Sequence, residues 1–194
     1  MLKPFFMKNS TCAAFLFDGF CDGELALVMS ALNQSGDYSL ETFSTRGRTV
    51  TARSGLRVMP HTSLGNMRPE DFQLLLLPGG CQWEKGDNLE IFPLIKATIG
   101  HRLLVAVGSA ILALADLGVL DSIPHAAGEP GYIQSYCPDY HGEPFQCRET
   151  LVHAGGVITI DTNALTGPTK GILSLFDTLQ EITFNDHELH DPAC

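Results

Sequence analysis

Leu103-Leu104-Val105-Ala106-Val107-Gly108-Ser109-Ala110-Ile111-Leu112-Ala113 is the stretch on which the reading of this chain turns. Five apolar residues suited to a strand buried on both faces run through Gly108 and Ser109 into residues with helical spacing, and no loop intervenes. A strand that turns this sharply into a helix holds one side chain above the sheet edge, beside the free N–H groups of the helix start. Such groups stabilise a thiolate or an oxyanion. The same residues also make an ordinary strand-to-helix junction in which a glycine allows close packing.

Working outward, residues 72–77 read as a second buried strand closed by Pro78-Gly79-Gly80, and residues 12–17 as a third closed by Asp18-Gly19. Residues 38–44 alternate as a strand does, and 157–160 form a late one. Residues 45–62, polar and carrying Gly47 and Gly55, suggest a hairpin-like excursion. Helical spacing falls over 24–33, 89–99, 110–117 and 170–179. Unbroken apolar strands alternating with helices predict an open α/β three-layer sandwich, a mostly parallel sheet with helices on both faces. In such a sheet the sites lie at the carboxyl ends of strands.

The 194 residues fit a single domain over 1–194, with a polar tail at 186–194. Hydrophobic residues make up 44% and charged residues 18%, which excludes a disordered chain. The formal charge of −10 and the lack of any Lys/Arg run exclude nucleic acid and anionic membrane as partners. No apolar stretch reaches the ~20 residues of a membrane span. Six cysteines, at 12, 21, 81, 137, 147 and 194, lack metal or disulfide-framework spacing, and no export signal precedes them. The expectation is a cytoplasmic protein with reduced thiols.

Taken in order, Phe17-Asp18-Gly19-Phe20-Cys21-Asp22-Gly23-Glu24, Leu74-Leu75-Leu76-Leu77-Pro78-Gly79-Gly80, Val105-Ala106-Val107-Gly108-Ser109-Ala110 and Leu117-Gly118-Val119-Leu120-Asp121 resemble the ThiJ/PfpI superfamily of class I glutamine-amidotransferase-like proteins. The resemblance spans roughly residues 12–179. It implies a flavodoxin-like sandwich, a homodimer, and a cysteine at the elbow. It also implies a glutamate after the first strand that bonds this cysteine, at Glu24 here, and an oxyanion pocket fed by backbone N–H groups of Gly79 and Gly80. A histidine beyond the elbow helix matches His125.

The chain departs from that pattern at its centre. The elbow position holds Gly108, which has no side chain with which to attack anything. Elbow nucleophiles sit in strained backbone geometry that costs on the order of 1–3 kcal/mol, and glycine adopts it freely. The segment Ile160-Asp161-Thr162-Asn163-Ala164-Leu165 departs too, lacking the Gly and Pro that the resemblance implies there.

Other groups are weighed against the missing thiol. Ser109 is one step into a helix, rotated ~100° from the elbow, and reads either as a displaced nucleophile or pocket donor or as a residue bonding backbone. Cys81 follows Gly80 at a strand end where a thiol can face the pocket, and Cys21 lies in the loop before Glu24; both also read as small buried hydrophobes. Glu24 is a polar group near the elbow or a first-turn acid that suits the helix dipole. Asp22 reads as a cap or loop residue, and His125 as a base or a solvated loop histidine. His187 and His190, in the polar tail, lack the further ligands a zinc site needs. The aromatic-rich segment 132–145 reads as a lid or a dimer contact.

These residues predict a family member without its nucleophile that binds a small polar molecule or a protein partner, with no cofactor and no metal. The alternative is an active hydrolase or lyase of amidase, deglycase or isonitrile-hydratase type that uses Cys81 or the pair Glu24 and His125.

Overall fold

The structure is a computed structural model, and it describes residues 10–35 and 38–162. The predicted helix over 170–179, the tail at 186–194 with His187 and His190, and Cys194 lie outside the described residues. The elements follow in order: β1 (Ser10–Phe15), α1 (Asp22–Ser35), β2 (Tyr38–Ser44), β3 (Val50–Thr51), β4 (Arg57–Val58), β5 (Thr62–Ser63), β6 (Leu74–Leu77), α2 (Cys81–Glu84), α3 (Phe92–Thr98), β7 (Leu103–Val107), α4 (Ile111–Asp116), β8 (His125–Ala126), α5 (Tyr132–Tyr136), β9 (Gln146–Cys147), β10 (Leu151–Ala154) and β11 (Val157–Ile160).

Seven strands form one sheet in the order β10-β11-β7-β6-β1-β2-β5. Every pairing is parallel except that of β10 with β11. The unbroken apolar runs account for its middle: each residue of β6, β7 and β11 is buried, as a parallel strand covered on both faces requires. Small side chains at Cys12, Ala13 and Ala14 let β1 sit between β2 and β6. The architecture is the α/β sandwich predicted from the apolar runs, and it is flavodoxin-like as the family resemblance implies.

The chain leaves β1 for β2 on one side and returns to β6 on the other, so strand order reverses between β1 and β6. The carboxyl ends of β1, β6 and β7 gather beside this switch point, where ligands bind in open α/β sheets. The excursion over 45–62 does contain a hairpin, β3 against β4. It folds back over the β1–α1 turn: Gly19 N–H donates to Thr51 O (2.7 Å) and Arg53 N–H to Phe20 O (2.9 Å).

Three details differ from the sequence reading. Leu40 of β2 is 38% exposed while Thr42, Phe43 and Ser44 are all buried, because that end of β2 is covered by β5 and the hairpin rather than by alternating faces. The junction after β7 is a 3-10 turn over Gly108–Ala110 before α4 begins. And His125 is not in a solvated loop. It lies in β8, paired with β9, with no exposed surface.

Candidate functional site

The turn after β7 has the backbone of an elbow and a glycine at its apex. Gly108 has φ +53°, in the left-handed region that glycine enters without penalty. A Cβ built on it would stand 2.6 Å from Thr162 Oγ1 and 3.0 Å from Glu24 Oε1. Those two groups therefore occupy the space into which an elbow side chain would project.

Glu24 is placed by the first turn of α1, where an acidic residue suits the helix dipole. Its Oε2 accepts the Gly79 N–H at 2.9 Å, and its Oε1 accepts the Thr162 hydroxyl at 3.0 Å. The fit against Gly79 is close: a Cβ there would come within 2.5 Å of Glu24 Oε2, so the carboxylate would have to shift.

Gly80 is engaged in the same way. Its N–H donates to Ser109 Oγ at 2.9 Å, and Ser109 Oγ donates back to Gly80 O at 3.0 Å. Ser109 thus points into the site rather than away from it. The tighter 3-10 turn at residues 108–110 swings it further round than an α-helical step would. The two amides expected to serve an oxyanion are both bonded to side chains of the chain itself.

The loop that carries these amides is held from below. Trp83 Nε1–H donates to Pro78 O at 2.9 Å, and the indole packs edge-on against Phe17 with centroids 5.4 Å apart. Cys21 N–H donates to Gly79 O at 2.8 Å, tying the β1–α1 turn to the β6–α2 loop.

Glu24, Gly80, Gly108, Ser109 and Thr162 line a cavity of ≈ 620 Å³ together with Arg53, Cys81 and Tyr132. Among the described residues, four acidic ones line it, Glu24, Glu84, Glu129 and Asp161, against one basic residue, Arg53. Tyr132 O–H donates to Glu84 Oε1 at 2.9 Å. Burial first, and then this carboxylate, push its phenol pKa up. The segment read as a lid or dimer contact therefore begins as cavity wall.

The two pocket thiols differ. Cys81 is exposed at the first position of α2. Cys21 is half-buried, with Arg53 Nη1 3.8 Å from its sulfur. Desolvation and the Glu24 charge outweigh that guanidinium and raise its pKa, so Cys21 lacks the acid shift of a reactive thiol. Asp22 opens α1 and accepts a hydrogen bond from Ser54 Oγ, which fastens the hairpin to the helix start.

His125 stands apart from the cavity. Its ring is closed off by Ile123 O on Nδ1 (2.8 Å) and Tyr140 Oη on Nε2 (2.6 Å). A carbonyl only accepts, so Nδ1 carries the proton and Nε2 accepts from Tyr140, which in turn accepts from Gln146 Nε2 at 3.0 Å. Burial lowers the imidazole pKa. The structure does not bring Glu24 and His125 together as a pair: only the neighbours of His125, Ala126 and Ala127, line the cavity.

Arg53 had no distinguishing signal in the sequence, and Thr162 had only its place in the departing segment that begins at Ile160. Arg53 reaches Cys21 across 32 residues and Thr162 reaches Glu24 across 138. No group of three or more His, Cys, Asp or Glu among the described residues is arranged to hold a metal ion. No helix among them is long and apolar enough to cross a membrane.

Comparison with known proteins follows the same geometry. Two Bacillus subtilis (strain 168) proteins named as uncharacterized proteases are similar: YoaZ, 28% identical with 80% of each chain covered, and YdeA, 29% identical with 86% of this chain and 84% of the other covered. Among solved structures, the DJ-1 superfamily protein Atu0886 from Agrobacterium tumefaciens is 29% identical, with a TM-score of 0.75 over 88% of this chain and 90% of that one. A thiJ/pfpI family protein from Bacillus anthracis shares the fold, with a TM-score of 0.76 at 24% identity over 90% of this chain and 84% of that one. Residues 11–161, from the second residue of β1 to just past β11, match the DJ-1/PfpI family, and the chain belongs to that family.

Proposed function

We propose that this protein uses the family's elbow cavity to bind a small polar molecule and does not perform covalent thiol chemistry there. The observation that carries the reading is the filled elbow: Gly108 offers no nucleophile, and Thr162 Oγ1 and Glu24 Oε1 stand where its side chain would go. The Gly79 and Gly80 amides, which would polarise a carbonyl, already donate to Glu24 and Ser109. Four carboxylates against one guanidinium make the cavity hospitable to a neutral or cationic polar ligand rather than to an anion.

The names of the two curated relatives raise peptide hydrolysis as a function for this chain. It would need an activated nucleophile. Ser109 Oγ is bonded in both directions to Gly80, and both imidazole nitrogens of His125 are engaged away from the cavity. One second reading keeps an observation in its favour. Cys81, exposed on the cavity wall, serves as a displaced nucleophile of a hydrolase or lyase.

The deciding experiment compares turnover of amide and aldehyde substrates by the wild type, Cys81→Ala, Glu24→Ala and Gly108→Cys. The binding reading expects wild-type rates no higher than those of heat-denatured protein, with a peroxide-sensitive thiol gained in Gly108→Cys. Wild-type turnover that collapses in Cys81→Ala overturns it in favour of the second reading.

A further inference from the structure

A second cavity, of ≈ 540 Å³, opens on the other side of the β1–α1 turn and shares no lining residue with the first. The turn itself is the partition. Gly19 and Cys21 face the elbow cavity, while Leu16, Phe17 and Asp18 face this one. Helix α2 divides likewise, with Cys81 and Glu84 on one side and Gln82 on the other. Both cavities sit over the carboxyl edge of the sheet, the new one beyond β2.

Two features of its wall bear on a ligand, a buried amide that the fold does not need and a pair of solvent-exposed arginines. Asn88, which lines the cavity, is the one non-glycine residue with positive φ (+63°) among the described residues. It is 9% exposed, and its amide nitrogen donates to no group among the described residues. A buried donor left unpaired destabilises the fold, because its lost hydration is not replaced. Glycine would adopt the same backbone with neither penalty. Asparagine is therefore an expensive choice for the fold, and expensive choices of this kind collect at ligand sites. The amide turns readily about its terminal bond, so it has a donor to offer the cavity.

The second feature is cationic. Arg46 and Arg48 line the same cavity, and neither guanidinium has a hydrogen-bond or ion-pair partner among the described residues. Three acidic residues, Asp18, Asp87 and Glu90, line the cavity as well, so its overall charge does not favour an anion and the donors must act locally; none of the three pairs with either guanidinium. Asp18 accepts the Thr51 N–H at 2.7 Å, Glu90 accepts the Thr45 hydroxyl at 2.6 Å, and Asp87 is exposed at the rim. Guanidinium forks match the paired oxygens of carboxylates and phosphates, and an amide N–H completes the donor set.

We propose that the cavity bounded by Arg46, Arg48 and the buried amide of Asn88 is a second ligand site, which takes a small molecule by its carboxylate or phosphate group. It is independent of what the elbow cavity binds.

The test titrates ¹⁵N-labelled protein with inorganic phosphate and, separately, with acetate, following the side-chain NH₂ signals of Asn88. Asn88→Gly, which keeps the backbone conformation, identifies those signals by their disappearance. The expected result is a saturable shift with at least one of the two anions, weakened five-fold or more in the double variant Arg46→Ala, Arg48→Ala. Asn88→Gly is expected to melt no lower than wild type while losing anion-induced stabilisation. Saturation by phosphate alone assigns a phosphorylated ligand, and by acetate alone a carboxylate. The proposal is overturned if neither anion moves the Asn88 signals saturably, or if the double arginine variant responds as wild type does.

Discussion

Gly108 sets the turn after β7 in a conformation that few other residues adopt. Its positive φ is free to glycine, and the space into which a side chain would project is taken by Thr162 and Glu24. Returning a Cβ therefore meets two costs, the left-handed backbone and the 2.6 Å approach to Thr162 Oγ1. Gly108→Ala is expected to lose about 1–3 kcal/mol in urea unfolding; an unchanged midpoint would mean that the elbow conformation is not as described. The cysteines make a second prediction at this scale. Burial drives the Cys12 thiol far up and pushes Cys137 up to about 12, whereas Cys81 is exposed. Iodoacetamide at pH 8 is expected to label Cys81 at least ten-fold faster than Cys12 or Cys137, as read by peptide mass spectrometry. Cys21, its pKa raised despite the adjacent Arg53, is expected to react appreciably only at higher pH.

Elements were legible in the sequence in proportion to their length and burial. The four-leucine β6 and the Leu103–Val107 strand announce themselves because a parallel strand buried on both faces needs nothing but apolar residues. Two-residue strands carry no such pattern. His125 read as a loop residue because β8 has only one neighbour in its run, Ala126, and its pairing with β9 comes from residues 21 positions on. That burial has a measurable consequence. His125 is held neutral, with its pKa below the ordinary 6.5, so between the two values the unfolded chain binds the extra proton. Its contribution to stability is complete above about pH 6.5 and is lost as pH falls through the folded value. The melting temperature is expected to fall between pH 7.5 and 5.5. His125→Gln, with no proton to gain, is expected to flatten that slope; an unaltered slope would place the titration elsewhere.

At the scale of the whole molecule, Glu24 joins segments that the sequence keeps far apart. Its carboxylate ties α1 to the β6–α2 loop across 55 residues and to the end of β11 across 138, over the turn that follows β7. The candidates Glu24, Gly79 and Gly80 were legible because they sit at strand ends, where an open sheet puts its sites. What the sequence hid was their mutual engagement. A carboxylate that fills an elbow and satisfies an amide is a three-dimensional fact, with no local pattern to betray it. The arrangement makes the two ends of the clamp energetically dependent on each other. In wild type, a Cβ at position 108 must displace Glu24 Oε1 at 3.0 Å and Thr162 Oγ1; once Glu24 is truncated, one of those obstacles is gone, and Thr162 has lost the acceptor that holds it in place. Glu24→Ala alone leaves the Gly79 N–H without its partner and is expected to cost about 1–3 kcal/mol. Added to Glu24→Ala, Gly108→Ala should then cost less than it does in wild type, by an interaction of about 0.5–3 kcal/mol in a double-mutant cycle. Strict additivity would mean that the carboxylate does not occupy the elbow, and the cavity would then be open to the nucleophile position. A clear coupling would mean that the Glu24 carboxylate occupies the space above Gly108, so that position 108 accepts a side chain only at the expense of the contacts that hold α1 to the β6–α2 loop.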